Sequence, residues 1–285
     1  MIERTSNLGD CTVLIFLNSN KKGDIDRFNE LLKPSINFIS KKILVVPKYN
    51  PKIEIDKSYE ILLDRQIVKN YHMKAYDKQM ILKLLVSRLI NTKFYLVLDT
   101  DNICNKKFTL KQLFQNEKIM LSIYNGYKYF SPKNKNTNHS IWLHAAKNIL
   151  NVKNISNPFY YANTPVLFVT KYVKKLLNEL DNKTGNFSKY YKDNYLLYSE
   201  YSLYFMYIQK YNLYKNESEE PGLISGVWTD SHSLLNLNNN EIFWVIQSHL
   251  KIPIKKIKER QTKSRYSRVI KNDLGNYFKG LQFSQ

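Results

Sequence analysis

The sequence predicts an α/β fold in which a mostly parallel central sheet carries helices on both faces. Short apolar runs alternate with stretches of helical periodicity, most clearly in the first third of the chain. Each run is continuously apolar, which is typical of strands covered on both faces. Polar residues follow the first and the fourth of these runs, and ligands bind at such carboxyl ends in open α/β sheets.

Four apolar runs in the first half have the length of buried strands: residues 12–17, 42–47, 59–63 and 94–98. Helical periodicity covers residues 25–39, where Pro34 should kink the helix or end its first part. The periodicity is clearest over residues 78–90, where apolar residues recur three and four positions apart.

The second half is less regular, and its elements follow from shorter patterns. The expected strands are residues 119–122, 165–170 and 242–247. The expected helices are residues 141–150, 171–180 and 195–208, the first of them after a loop at 131–140. No stretch with the composition of a linker separates the halves, so we predict one domain.

The composition is that of a folded, strongly basic chain. Of the 285 residues 43% are hydrophobic, and the formal net charge is +20. The electric field of such a net positive charge attracts polyanions: nucleic acid, an anionic membrane or phosphorylated sugars. However, Lys is frequent throughout, together with Asn, Ile and Tyr, as a coding sequence of biased base composition produces, and only residues 251–268 form a dense basic cluster. We favour this compositional explanation of the charge.

The two cysteines and the apolar runs bear on the cellular location. Cys11 and Cys104 stand beside predicted strands, without a metal-binding spacing, and two cysteines do not make a disulfide framework. No apolar run approaches the ~18 residues that a spanning helix needs. We therefore expect a cytoplasmic protein with reduced thiols, which can still lie against a membrane.

The strongest local motif is the Asp-x-Asp formed by Asp99 and Asp101 directly after the strand at 94–98. Two carboxylates at that spacing can point into one space as the strand ends, and hard oxygen ligands suit Mg²⁺ or Mn²⁺. A cation held there would bridge a diphosphate and neutralise its charge as it leaves. A solvated surface turn also favours Asp and Asn. The motif therefore indicates a metal site only together with the apolar strand and the helix that precede it.

Two classes of metal-using enzyme place such a motif after an apolar strand. In phosphatases of the haloacid-dehalogenase type the first Asp is a nucleophile, and a later strand ends in Ser or Thr followed by Lys. Residues 168–171 could supply that part, but no later acidic pair follows a strand, since Asp230 stands alone. The other class is the nucleotide-sugar glycosyltransferases of the GT-A type.

Residues 76–84, Tyr-Asp-Lys-Gln-Met-Ile-Leu-Lys-Leu, precede the motif stretch 94–102, Phe-Tyr-Leu-Val-Leu-Asp-Thr-Asp-Asn. Together they resemble a GT-A-like family with a Lys/Arg-Gln-Gln-x-x-Leu-Lys-Leu helix before a Tyr-Leu-x-Leu-Asp-x-Asp strand. Met80 departs from that pattern, because the family often has a second Gln there. Looser similarity spans roughly residues 10–250 and includes the stretches 163–167, 199–204 and 245–249.

The resemblance implies a GT-A-like, Rossmann-like fold and the transfer of a sugar from a nucleoside-diphosphate-sugar donor to an acceptor hydroxyl, with Mn²⁺ or Mg²⁺ as cofactor. Residues 1–250 would be the catalytic domain, with a nucleotide-binding half at 1–110 and an acceptor half at 111–250. Residues 251–285 would be a basic extension.

The resemblance also assigns roles around the motif. Asp101 would bind the metal directly, and Asp99 would contact the donor or reach the metal through water. Lys78, Gln79 and Lys83 would face the donor from a helix start, where a phosphate is favoured. Lys83 is equally compatible with a plain solvated position.

Further roles fall on three other places in the chain. Asn18 and Ser19, with Asn20, follow the first strand and could hold the base or ribose of the donor, or form an ordinary polar loop. Glu200 could be the base that takes the acceptor proton, bind the acceptor, or pair with a lysine. His249 is the preferred third metal ligand, with His232 as the alternative.

The expected partners are the nucleotide-sugar donor and a glycan, glycoprotein or glycolipid acceptor, and the basic stretch could touch an anionic membrane. The main non-enzyme alternative is a nucleic-acid-binding protein, but the sequence has no zinc spacing, RNA-binding aromatic signature or helix-turn-helix pattern. A glycosyltransferase-like scaffold without activity is a further alternative, against which the intact Asp99 and Asp101 argue.

Overall fold

The computed structural model describes residues 8–68, 73–115, 118–119, 124–125, 137–153, 159–160, 164–213, 223–227 and 233–263. The strands are β1 Cys11–Phe16, β2 Lys42–Val46, β3 Tyr59–Leu63, β4 Phe94–Asp99, β5 Asn102–Cys104, β6 Phe114–Gln115, β7 Lys118–Ile119, β8 Tyr124–Asn125, β9 Phe159–Tyr160, β10 Val166–Val169, β11 Ile224–Val227 and β12 Phe243–Ile246. The helices are α1 Lys22–Arg27, α2 Lys33–Ser35, α3 Asp64–Ile67, α4 Ala75–Leu85, α5 Leu110–Leu113, α6 Asn138–Ile149, α7 Thr170–Thr184, α8 Phe187–Asn194, α9 Glu200–Lys210 and α10 over residues 254–263.

The central sheet has five strands in the order β10-β4-β1-β2-β3. The four strands β4, β1, β2 and β3 are parallel, and β10 runs antiparallel to β4. Every residue of β1 and β2 is buried, as the continuous apolar runs require. The predicted α/β class is therefore confirmed, as a Rossmann-like sheet flanked by helices.

A second, three-stranded sheet has the order β11-β12-β5 and begins where β4 ends. Asp99 is the last residue of β4, and β5 starts at Asn102 and pairs antiparallel with β12. The turn between β4 and β5 is held by β12, because the backbone N–H of Ile246 donates a hydrogen bond to the carbonyl of Asp101 (2.9 Å). The Asp-x-Asp turn thus joins the two sheets.

Several helix boundaries differ from the sequence prediction. The first helical region is interrupted by a π-helical turn, Phe28–Leu32, and ends at Ser35, one residue after Pro34. Helix α6 begins at Asn138, inside the predicted loop, where the Thr137 side chain caps it. Residues 120–122, most of the predicted strand at 119–122, lie outside the described residues.

The basic stretch after residue 250 packs on the domain as far as it is described. Ile257 of α10 is fully buried in a small core with Leu31 and Trp244. Arg260 donates to the carbonyl oxygens of Leu234 and Leu237. Residues 251–263 are therefore attached to the body of the protein. In the part of the chain that the structure describes, no helix has the length and apolarity to cross a membrane.

Candidate functional site

A cavity of about 570 Å³ opens at the carboxyl ends of β1, β2 and β4. Asn18 and Asn20 line it after β1, and Pro47 lines it after β2. Asp99 and Asp101 line it at the end of β4. The site therefore lies where the rule for open α/β sheets places it.

Asp99 is held by three side chains. Gln79 Nε2 donates to Oδ1 (2.7 Å), while Lys83 Nζ (3.3 Å) and Thr164 Oγ1 (3.1 Å) both donate to Oδ2. The backbone N–H of Asp99 donates to Asn102 Oδ1 (2.9 Å). With these donors around it, the carboxylate is fixed in one orientation, and Oδ2 is already engaged twice.

Lys83 lies behind Asp99 and is 5% exposed. Its ammonium contacts Asp99 Oδ2, Glu200 Oε1 (3.2 Å) and Tyr201 OH (2.9 Å). Burial lowers the pKa of Lys83, but the nearby Asp99, Tyr201 and Glu200 together raise it well above its ordinary value. We call Lys83, Asp99, Glu200 and Tyr201 the Lys83 cluster.

Asp101 has a different environment from Asp99. Its side chain is 17% exposed, and none of the described groups donates a hydrogen bond to its buried Oδ1. The nearest cation is Arg27, whose Nε lies 4.0 Å from Oδ1, and whose guanidinium also donates to the carbonyl of Ile246. Burial raises the pKa of Asp101 to about 6, Arg27 opposes the rise, and Asp99 adds to it.

This pKa predicts a pH-dependent penalty on the folded protein. The folded pKa of Asp101, about 6, exceeds its ordinary value of 3.8. Ionisation of Asp101 above about pH 6 therefore lowers the free energy of unfolding, and this loss decreases as the pH falls toward 3.8. In metal-free buffer we expect Asp101→Asn to raise the free energy of unfolding by about 1–3 kcal/mol near pH 7.5. The gain should shrink as the pH falls below about 6 and vanish only below 3.8, where both states protonate Asp101. Urea unfolding across this range tests it, and a variant less stable than the wild type at every pH would contradict it.

The cavity is acidic although the protein is basic. Its lining holds two cations, Lys21 and Lys78, and four carboxylates, Asp24, Asp64, Asp99 and Asp101, which leaves a net charge of −2 in a chain of +20. The described residues contain no group of three or more His, Cys, Asp or Glu that could hold a metal ion by themselves. A site with few protein carboxylates fits Mg²⁺ or Mn²⁺, which complete their shell with water and phosphate oxygens. The Asp101 carboxylate, which lines the cavity and has a side chain that is 17% exposed, would be its ligand.

The predicted site residues divide into those that reach the cavity and those that do not. Asn18, Lys78, Gln79, Asp99 and Asp101 line the cavity. Lys78 is not a free phosphate ligand, because its Nζ lies 2.7 Å from the carboxylate of Asp64.

Four predicted residues do not line the cavity, and their assignments are corrected: Lys83, which is described above, and Ser19, His249 and Glu200. Ser19 is fully buried, and its hydroxyl donates to the carbonyl of Lys48 (2.6 Å). His249 is exposed and is not part of the cavity lining, to which its neighbours Gln247 and Ser248 contribute. Glu200 is 2% exposed and paired with Lys83, so an acceptor in the cavity cannot reach it as a base. His232 lies outside the described residues.

Sequence reasoning missed several residues at the site. Asp64 directly follows β3, so the rule that pointed to the ends of β1 and β4 would have found it. Thr164 stands within a stretch already noted for its resemblance. Arg27 had no local signal, because its approach to Asp101 depends on long-range packing.

The direction of β10 bears on the phosphatase alternative. Because β10 is antiparallel to β4, its last residue Val169 pairs with Phe94, at the opposite end of β4 from Asp99. Thr170 continues there and donates its N–H to the carbonyl of Lys93 (3.0 Å). Thr170 and Lys171 therefore cannot assist Asp99 as that mechanism requires.

The fold and the site define a Rossmann-like α/β protein with an acidic cavity at the carboxyl edge of its sheet. The chain belongs to the family of unknown function DUF6492, which matches residues 15–267. The match includes every strand end that borders the cavity, and all of α10. No curated protein is similar enough to this chain to count as a relative.

Proposed function

We propose that the protein is a glycosyltransferase that moves a sugar from a nucleoside-diphosphate-sugar donor to an acceptor hydroxyl, with Mn²⁺ or Mg²⁺ as cofactor. The observation that carries the proposal is the pair of carboxylates at the end of β4. Gln79, Lys83 and Thr164 hold Asp99 in place, and Asp101 beside it lines the cavity with a side chain that is 17% exposed.

The charge of the cavity supports the cofactor requirement. An anionic diphosphate would meet a lining of net charge −2, which disfavours it unless a cation enters as well. A divalent cation would offset this charge and stabilise the negative charge that develops on the leaving diphosphate. The acidic lining therefore favours a cation, alone or together with a diphosphate, over a diphosphate alone.

The residues around the cavity would bind and orient the donor. Asn18 and Asn20 offer amide groups to the base or ribose, and Gln79 orients Asp99 toward the donor or the hydrated cation. In the transfer, the acceptor oxygen bonds to the anomeric carbon as the bond from that carbon to the diphosphate oxygen breaks, and the diphosphate leaves with the electron pair. The acceptor proton passes to the diphosphate or to solvent, since Glu200 is enclosed.

The proposal includes a cytoplasmic protein that acts on a glycan, glycoprotein or glycolipid acceptor. The exposed lysines of the C-terminal stretch would allow peripheral contact with an anionic membrane that carries such an acceptor: Lys251, Lys255, Lys256, Lys258 and Lys263. This contact should weaken with added salt, because exposed charges are screened.

Thermal unfolding against a panel of nucleoside diphosphates and nucleotide sugars, with and without Mn²⁺, tests the proposal. A ligand that binds only the folded state stabilises it by about 2.7 kcal/mol at a hundredfold excess over its dissociation constant. We expect the nucleotides of one base to raise the midpoint only with Mn²⁺, and EDTA to reverse the shift. If no nucleotide shifts the midpoint while DNA or RNA does, the glycosyltransferase proposal fails and nucleic-acid binding replaces it.

A further inference from the structure

We infer that Glu200 is a positioning residue that keeps the cation end of the cavity negatively charged, acting on Asp99 through Lys83. This inference rests on the proposed function, because it concerns the cation that the proposal requires. It gives Glu200 a role without contact with donor, acceptor or metal.

The hydrogen bonds of Lys83 are the first observation. An ammonium group has three protons, and Lys83 has three acceptors in reach: Asp99 Oδ2 at 3.3 Å, Glu200 Oε1 at 3.2 Å and Tyr201 OH at 2.9 Å. The donors of Lys83 are therefore fully used inside the protein. Lys83 has no proton left for a phosphate oxygen, so its effect on the cavity must pass through Asp99.

The charges of the cluster are the second observation. Lys83 and Asp99 alone would form a neutral pair, and a neutral pair attracts a cation weakly. Glu200 adds a second carboxylate to the same ammonium, which leaves the three groups with a net charge of −1. Of the two carboxylates, Asp99 has a side chain that is 28% exposed and lines the cavity, whereas that of Glu200 is 2% exposed. The net negative charge of the three groups therefore acts on a cation in the cavity through Asp99.

A merely structural role for Glu200 makes a different prediction. In that case Glu200 only ties α9 to α4, and every change in the cluster should loosen Asp99 and weaken cation binding. Under the charge role, removal of one carboxylate weakens binding, and removal of the ammonium as well restores it, because the net charge returns to −1. Gln79 and Thr164 continue to hold Asp99 in both variants.

The test is a titration of the full chain with Mn²⁺ alone, followed by electron paramagnetic resonance of the free ion. We expect Glu200→Gln to weaken Mn²⁺ binding about tenfold, because a unit charge near a partly buried site is poorly screened. The double variant Lys83→Met/Glu200→Gln should bind within about threefold of the wild type. Thermal unfolding of each variant confirms that it is folded at the titration temperature.

Glu179→Gln is the matched control. It removes the same charge from a carboxylate that pairs with Lys210 and Lys183, away from the cavity lining. We expect it to bind Mn²⁺ as the wild type does. If folded Glu200→Gln also binds as the wild type does, or if the double variant binds as weakly as Glu200→Gln, the charge role is wrong. If the wild type itself does not bind Mn²⁺, the proposed function fails at its cofactor.

Discussion

Asp101→Asn is expected to abolish the Mn²⁺-dependent stabilisation by nucleotides while the protein stays folded. The variant loses the negative charge of the carboxylate that would hold the cation in the cavity, since Asn offers only a neutral carbonyl. The stabilisation of about 2.7 kcal/mol at a hundredfold excess of nucleotide should therefore fall to nearly zero. The fold should persist, because the folded state no longer has to hold a buried charge whose pKa is raised to about 6.

Thermal unfolding with and without Mn²⁺, at fixed nucleotide, measures the effect. Asp26→Asn is a suitable control, because Asp26 is a partly exposed carboxylate on α1 that is not among the residues lining the cavity. It removes the same charge and should retain the full Mn²⁺-dependent shift. A shift of wild-type size in Asp101→Asn would show that the cation binds elsewhere.

Lys83→Met is expected to cost about 3–5 kcal/mol of stability, because it leaves buried charge without its partner. Glu200 is 2% exposed and has no solvent to replace the ammonium. Asp99 loses one of its two donors at Oδ2. The methylene stem of Lys83 is replaced by a side chain of similar length, so the loss is electrostatic rather than a packing defect.

Urea unfolding near neutral pH measures this cost. Lys183→Met provides the comparison, since Lys183 pairs with Glu179 at a side-chain exposure of 33%, where an ion pair contributes at most about 1 kcal/mol. The double variant Lys83→Met/Glu200→Gln should recover part of the loss, because it removes the stranded carboxylate. A loss below about 1 kcal/mol in Lys83→Met would mean that Glu200 is neutral in the folded protein.

The first half of the fold was predictable because its signals are local. Continuous apolar runs identified β1, β2, β3 and β4, and the helical period identified most of α4. The direction of β10 was not predictable, because pairing between strands far apart in sequence leaves no mark within either strand. The same holds for the three-stranded sheet, in which β5 meets β12 across more than a hundred residues.

The candidate site was predictable in place but not in the state of its charges. Asp99, Asp101, Gln79 and Asn18 line the cavity, as their positions after strands or at a helix start suggested. A sequence shows which residues carry charge but not which neighbours neutralise them. For that reason the sequence left open that Glu200 pairs with a lysine, but it could not identify Lys83 as the partner or show that the pair is buried. The roles of donor, metal and acceptor stay predictions.

The Asp-x-Asp turn that joins the two sheets determines how much of the chain must be synthesised before the site is complete. Asp99 ends a strand of the large sheet, and Gln79 and Lys83, which hold it, precede it in the chain. The turn that presents Asp101 is fixed by Ile246, far downstream. A nascent chain that has not emerged beyond Ile246 therefore lacks the anchor for Asp101. On the proposed function, such a nascent chain lacks a complete cation site and therefore cannot yet consume nucleotide sugars.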